Sequence, residues 1–138
     1  MKRRQLLTIL AAACAAARLR ASEAAATLRG KLATGAPAKL AAGTETVELA
    51  GDGPTMLVLA DSRLNGVDFE VKGTPAEPGK FRVDPIHKRN MFVHKDGKRL
   101  MISYWCSVCS IRTWQPGSCL CCQDETELDL GESFETVK

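Results

Sequence analysis

The chain has 138 residues, of which 45% are apolar and only 5% aromatic, so it suits one small domain with few large rings in its core. Its formal charge is +3, but five basic residues and one acidic residue precede residue 25, and residues 25–138 keep 14 basic and 15 acidic side chains. The net charge of this larger part gives no support to a nucleic-acid-binding protein.

The first 24 residues have the pattern of an export signal. A basic start precedes an apolar run of about ten residues, too short for a membrane-spanning helix, which needs about 20. The motif RRQLL at residues 3–7 resembles the twin-arginine signal, and Arg18 and Arg20 near the cleavage region are typical of that class. We therefore predict a twin-arginine-type signal peptide over residues 1–24 and a periplasmic or otherwise extracytoplasmic protein.

Cys14, within the same apolar run, raises the question of a lipid anchor. The position three residues before it is Ala11, where a lipoprotein signal has leucine, so the sequence argues against lipidation. An amphipathic helix of the mature protein is the other interpretation of this run, but the run has no polar face. The twin-arginine resemblance implies export in the folded state, often after a cofactor has been acquired.

Residues 25–90 have the alternation and the turn signals of a small β domain. The segment VDFEVK at residues 67–72 alternates strictly, with Val67, Phe69 and Val71 expected to face inward. A proline in the first turn favours one short helix beginning at Pro54. The remaining predicted strands of this part are Thr27–Ala33, Ala38–Ala42, Thr44–Leu49 and Phe81–Val83.

This order of three strands, a helix and two further strands is similar to the OB-fold, a five-stranded barrel with a helix between its third and fourth strands. The resemblance covers about residues 27–85 and rests on the order of the elements. It implies a scaffold and not a ligand, because such folds carry many functions. OB-folds that bind single strands need a basic groove and stacking aromatics, and this segment offers only Phe69 and Phe81. We therefore expect no nucleic-acid partner.

A β-hairpin is predicted directly after the barrel. The pair Asp96-Gly97 lies between two apolar runs, Met91–His94 and Arg99–Trp105, which is a strong short-range hairpin signal. The second run leads straight into the cysteines at the C-terminal end of the chain.

Five of the six cysteines lie within residues 106–122, with the spacing C-x2-C-x9-C-x-C-C. Two C-x2-C units can hold one ion tetrahedrally through four thiolates, so the segment looks like a compact zinc ribbon or zinc knuckle. The spacer contains Pro116-Gly117, a pair that can reverse the chain and bring the two units together. The candidate ligands are Cys106, Cys109, Cys119 and Cys122, with Cys121 as a substitute ligand, a free thiol or a member of a larger cluster.

Zinc is the preferred interpretation of this cluster, and other thiol chemistry remains open. Disulfides are the alternative in an exported protein, with at most two bridges among five thiols. Iron, iron–sulfur and Cu(I) sites also use thiolates. Rubredoxin-like iron sites pair C-x2-C units too, but glycine usually follows them, whereas Ser110 and Gln123 follow here. A thioredoxin-type site lacks support because no strands and helices alternate around the C-x2-C units.

His87 and His94 are the other candidate ligands. Four thiolates already satisfy a tetrahedral ion, so solvated or structurally bonded histidines are the favoured interpretation. The chain has no glycine-rich phosphate loop and no HExxH motif, so nothing beyond the thiols points to catalysis.

The sequence therefore predicts a mainly β protein, an OB-like barrel with one short helix, followed by a hairpin and a cysteine-rich loop. The expected parts are a signal peptide (1–24), a barrel domain (25–90), a hairpin with the zinc-ribbon-like segment (91–130) and a flexible acidic tail (131–138). The cysteine-rich end is similar to the tails of small exported bacterial proteins, a resemblance that supplies no activity. The expected role is a noncatalytic binding or structural module for a protein or small-molecule partner, with a redox protein or a copper or zinc handler as alternatives.

Overall fold

The structure is a computed structural model that describes residues 25–134. The predicted signal peptide and Cys14 lie outside the described residues. In the described part, the first five strands and one α-helix follow the predicted order. They are β1 (Ala26–Ala33), β2 (Ala38–Ala42), β3 (Glu45–Ala50), α1 (Gly53–Leu59), β4 (Asp68–Pro75) and β5 (Lys80–Val83).

These five strands close into a barrel. The strand order is β1-β2-β3-β5-β4, and the pairing of β4 with β1 closes the ring. β3 and β5 run parallel, and the other neighbours are antiparallel. The prediction of a mainly β protein built on an OB-like barrel is therefore confirmed.

Two glycines allow the barrel strands to approach closely. A Cβ atom at Gly30 of β1 would overlap the carbonyl oxygen of Ala41 on β2, and one at Gly73 of β4 would overlap the carbonyl oxygen of Arg82 on β5. Glycine at these positions therefore has a packing reason as well as a conformational one.

The barrel core is built from the inward faces of the alternating strands. Phe69 and Val71 on β4 are fully buried while Glu70 between them is not, as the alternation predicts. Helix α1 adds Val58 and Leu59 to the same core. Its N-terminus is capped by Asp52, whose carboxylate accepts from the Thr55 backbone N–H at 3.0 Å and from the Thr55 hydroxyl at 2.7 Å.

The chain then leaves the barrel as an extension of its sheet. β6 (Met91–Lys95) pairs with β4, and β7 (Lys98–Cys106) pairs with β6 through the predicted hairpin. Asp96 and Gly97 both have positive φ, 53° and 74°, as a type I′ turn requires.

β7 carries two strands that the sequence did not predict. β8 (Ile111–Thr113) and β9 (Glu127–Gly131) lie on opposite edges of β7, because Tyr104 pairs with Thr113 on one side and with Leu128 on the other. Three residues of β8 are too few to show a period. No helix among residues 25–134 is long and apolar enough to cross a bilayer.

Candidate metal centre

Strand β7 and the loop after β8 bring the two cysteine pairs together. Cys106 is the last residue of β7, and Cys109 lies in the tight turn that leads to β8. The second pair, Cys119 and Cys122, lies in residues 114–126 between β8 and β9. Because β8 and β9 flank the same end of β7, the loop returns to the point where β7 ends.

The second cysteine loop is closed by its own hydrogen bonds. At its base, the Thr126 backbone N–H and hydroxyl both donate to the Gly117 carbonyl, at 3.1 and 2.8 Å. Further in, the Cys119 N–H donates to the Asp124 carbonyl at 2.7 Å, and the Gln123 N–H donates to the Cys119 carbonyl at 2.9 Å. These bonds form a small hairpin with cysteines at its tip.

Four sulfur atoms meet where the two turns face each other. The Sγ atoms of Cys106, Cys109, Cys119 and Cys122 all lie within 4.8 Å of one another. The Cys106 and Cys122 sulfurs, one from each pair, are 3.5 Å apart. Four sulfurs bound tetrahedrally to zinc at about 2.3 Å lie about 3.8 Å from each other. The four-sulfur group therefore has the size and the donor set that a tetrahedral metal ion needs.

The two halves of the four-sulfur group are alike in burial. Cys106 and Cys119, the first cysteine of each pair, are each 2% exposed, whereas Cys109 and Cys122 are half-buried. The group is thus shielded on the protein side and open toward solvent on the other, which leaves a path by which an ion can enter.

Backbone N–H groups point at the two buried sulfurs. The Cys109 N–H donates to the Cys106 sulfur and the Cys121 N–H donates to the Cys119 sulfur, both at 3.4 Å. Hydrogen bonds of this kind favour the thiolate, which is the form that binds metal. The backbone N–H groups of Cys122 and Cys121 accordingly lower the pKa of Cys119 to about 7.

The neighbouring sulfurs act in the opposite direction on Cys109. Hydrogen bonds to the sulfurs of Cys121 and Cys122 hold the proton of Cys109 and raise its pKa. The four-sulfur group therefore combines a thiol whose pKa is lowered with one whose pKa is raised. Metal binding at such a site releases protons.

Each pair ends in the same backbone conformation. Ser110, directly after Cys109, has φ of 54°, and Gln123, directly after Cys122, has φ of 65°. This left-handed region favours glycine and costs other residues about 1–2 kcal/mol. The absence of glycine at these two positions therefore does not change the shape of the C-x2-C turns.

Cys121 stands apart from the four-sulfur group. Its side chain is exposed, and the group of four contains Cys122 in its place. It is nevertheless a neighbour of Cys109 and contributes to the raised pKa of that thiol. The structure thus places an exposed thiol directly beside a complete set of four donors.

Neither histidine belongs to the four-sulfur group. His87 Nε2–H donates to the Trp114 carbonyl at 2.6 Å, and His94 Nε2–H donates to a carboxylate oxygen of Glu70 at 2.9 Å. Both are therefore bonded to protein groups, in agreement with the structural interpretation of these residues.

A polar network that the sequence did not reveal ties the second cysteine loop to the barrel. Arg63 donates to the Thr126 carbonyl at 3.0 Å and lies 5.3 Å from the centre of the buried Tyr104 ring. The Asp61 carboxylate, whose side chain is only 6% exposed, forms an ion pair with the same guanidinium, with 3.0 Å between oxygen and nitrogen. Burial raises the pKa of Asp61, but the bonds from Arg63 outweigh it and lower the pKa overall. The buried Tyr104 hydroxyl has no hydrogen-bond partner among the described residues. Burial, together with the nearby Asp61 carboxylate, raises the pKa of Tyr104.

On the other side, Arg112 fixes the extension of the sheet. It donates to the Ser103 hydroxyl at 2.6 Å and to Asp129 at 2.7 Å, and stacks 4.1 Å from the Phe134 ring. Its ionic partner is therefore Asp129, the central residue of β9.

No protein-family model matches this chain, and no curated protein or solved structure matches it either. What the protein does is therefore inferred from its own residues, above all from the four-sulfur group.

Proposed function

We propose that the protein is an exported, noncatalytic metal-binding module in which zinc occupies a four-thiolate site. The ligands are Cys106, Cys109, Cys119 and Cys122. The observation that carries the proposal is the approach of these four sulfurs to within 4.8 Å of one another, from two turns that nine residues separate.

The donor set supports zinc over other ions. Zinc in structural sites takes four tetrahedral ligands, and four cysteine thiolates are one of its common sets. Iron also accepts four thiolates, whereas carboxylate and carbonyl oxygens suit magnesium and calcium. Iron–sulfur clusters and Cu(I) are the alternatives, and colour separates the iron centres from zinc because iron–thiolate centres absorb visible light.

A structural role for the ion follows from how little else holds the cysteine loops. Of residues 107–126, only Cys119 and Thr126 are buried, so this stretch has no apolar core of its own. Metal binding contributes directly to folding in segments of this kind. The ion would fix the two turns against the end of β7.

A binding role is supported by the apolar side chains that the cysteine turns present. Val108 and Leu120, each inside a C-x2-C unit, are 67% and 95% exposed, and Ile111 is 40% exposed. Exposed apolar side chains grouped on one feature are typical of interaction sites. The metal would hold them in place for a protein or small-molecule partner.

Export in the folded state suits this chemistry. Five thiols sent unfolded into an oxidising compartment would form disulfides. The twin-arginine-type motif at residues 3–7 predicts a route that carries folded proteins, so the thiolates would take up their ion before they meet oxidants.

The test compares metal content in two matched variants of the mature chain. Cys119→Ser removes a buried donor and is expected to lower the metal content from about one ion per chain to a small fraction of that. Cys121→Ser removes the neighbouring exposed thiol and is expected to keep it. Equal loss in both variants, or no metal in the unaltered protein, would overturn the proposal.

Metal handling is a second candidate, and the exposed Cys121 favours it. A fifth thiol beside the four donors can bind the ion while one of the four ligands dissociates from it. If the protein passes its ion on, Cys121→Ser keeps the metal content but slows transfer to a competing chelator. If the rate of transfer is the same in Cys121→Ser as in the unaltered protein, the metal-handling role is excluded and only the structural role remains.

A further inference from the structure

A cavity separate from the four-sulfur group opens between the segment before β6 and the end of β8. Its volume is about 530 Å³, within the usual range of about 300–1,000 Å³ for small-molecule sites. No cysteine lines it. Its lining includes Ile86, His87, Lys88, Trp114, Pro116 and Leu120.

The aromatic wall of this cavity is held in place before any ligand arrives. His87 Nε2–H donates to the Trp114 carbonyl at 2.6 Å, which joins the two segments that flank the cavity. Phe134 packs edge-on against the Trp114 ring, with centroids 5.8 Å apart at 71°. A wall that is already ordered loses little entropy on binding.

Two apolar residues stand exposed at the rim. Ile86 is 56% exposed and has φ of 65° and ψ of 61°, a left-handed conformation that is an outlier for a β-branched residue. Leu120, in the second cysteine loop, is 95% exposed. Backbone strain of this kind gathers at binding sites, where the surrounding structure compensates for it.

The charge that faces the cavity is positive. The Lys88 ammonium lies over the Trp114 ring, 4.9 Å from its centre, in a cation–π arrangement. No aspartate or glutamate lines the cavity. The complement of an apolar wall with one adjoining ammonium is a molecule with an apolar body and one negative group.

We propose that this cavity binds a small apolar carboxylate. The apolar body packs against Trp114, Ile86 and Leu120, and the carboxylate accepts a charge-assisted hydrogen bond from the Lys88 ammonium. The site goes beyond the proposed metal function, since it uses none of the metal-binding cysteines.

The test is a pair of NMR titrations of the ¹⁵N-labelled mature chain, with 4-phenylbutyrate as the probe and 4-phenylbutanol as its uncharged match. We expect saturable shifts at the amides of residues 86–88 and 113–118 with the acid, and binding about fivefold weaker with the alcohol, because a charge-assisted bond is lost. Lys88→Met should reduce the affinity for the acid to that for the alcohol. Lys95→Met, which removes an exposed lysine outside the cavity, should leave both affinities unchanged.

Leu120→Ser supplies a second check, since a side chain this exposed is not needed for folding. It is expected to weaken the acid and the alcohol alike. Shifts elsewhere, equal binding of the two probes, or no effect of Lys88→Met would overturn the proposal. Metal content measured on the same samples keeps failure of this site distinct from failure of the metal site.

Discussion

Ser110 and Gln123 occupy equivalent places in the two cysteine pairs and share one backbone conformation, with φ of 54° and 65°. Each follows the second cysteine of its C-x2-C unit, so the two halves of the four-sulfur group are built alike although 13 positions separate them in the sequence. The two turns can bind one ion because they share a backbone conformation, although neither has glycine after its second cysteine.

Substitution of Gln123 should therefore affect the second cysteine loop strongly, because of its left-handed backbone conformation. We expect Gln123→Val to destabilise the second cysteine loop by about 2 kcal/mol relative to Gln123→Gly, because a β-branched residue tolerates the left-handed region least. Resistance of the metal to a competing chelator reports the difference. Gln115→Val, at an exposed position that does not have a positive φ, is the matched control and should change little.

We expect the loss of the Arg63–Asp61 ion pair to reduce the free energy of unfolding much more than the loss of the Arg29–Asp68 ion pair. Arg63→Met removes the guanidinium from Asp61, whose side chain is 6% exposed, and from the Thr126 carbonyl, and we expect a loss of about 2 kcal/mol in the free energy of unfolding. Arg29→Met breaks the pair with Asp68, whose side chains are 54% and 46% exposed, and should cost less than about 1 kcal/mol. Chemical denaturation of both variants measures this, and equal losses would contradict the role given to the Asp61–Arg63–Thr126 contacts.

Asp52 links helix stability to pH. Hydrogen bonds from the Thr55 hydroxyl and backbone N–H lower the pKa of Asp52 below its ordinary value of 3.8. A lowered pKa means that the carboxylate stabilises the fold above pH 3.8, and that this contribution disappears as the pH falls through the lower folded value.

Asp52→Ala is accordingly expected to cost about 1 kcal/mol at neutral pH. The difference from the unaltered protein should shrink on acidification below about pH 4, as thermal unfolding across that range would show. Asp52→Asn keeps a capping oxygen but cannot ionise, so its loss of stability at pH 7 should be smaller than that of Asp52→Ala. A cost for Asp52→Ala that stays constant down to pH 2 would contradict this assignment.

Gly73 tests the closure of the barrel. Alanine there would place its Cβ against the Arg82 carbonyl, so we expect Gly73→Ala to destabilise the barrel by about 3 kcal/mol or more. Gly53→Ala, at the start of α1 with nothing within 4 Å of the added atom, should be neutral or slightly stabilising. Comparable unfolding midpoints for the two variants would show that the strands do not approach as closely as described.

Much of the barrel was predictable because its signals are local. The alternation around Phe69, the proline in α1 and the Asp96-Gly97 turn each specify their own element, and the order of the elements then favours an OB-like barrel. β9 was not predicted, because its five residues are too few for a clear period, although Glu127 and Asp129 alternate with half-buried leucines.

The candidate site was predictable in part for the same reason. Paired C-x2-C spacing brings donors together whatever the surrounding fold, so the cysteines stood out in the sequence. The contact of Arg63 with the Thr126 carbonyl joins residues 63 positions apart, and the cavity beside Trp114 depends on two separate segments, 86–88 and 113–120. Such contacts follow from tertiary packing and leave no local pattern.

Elemental analysis of the mature protein, purified from its native compartment without added metal, tests the central claim most directly when combined with a thiol count in denaturant. We predict about one zinc per chain, with all five thiols of residues 106–122 recovered once the ion is chelated. No metal and a single free thiol would contradict this account, because the same cysteines would then form two disulfides.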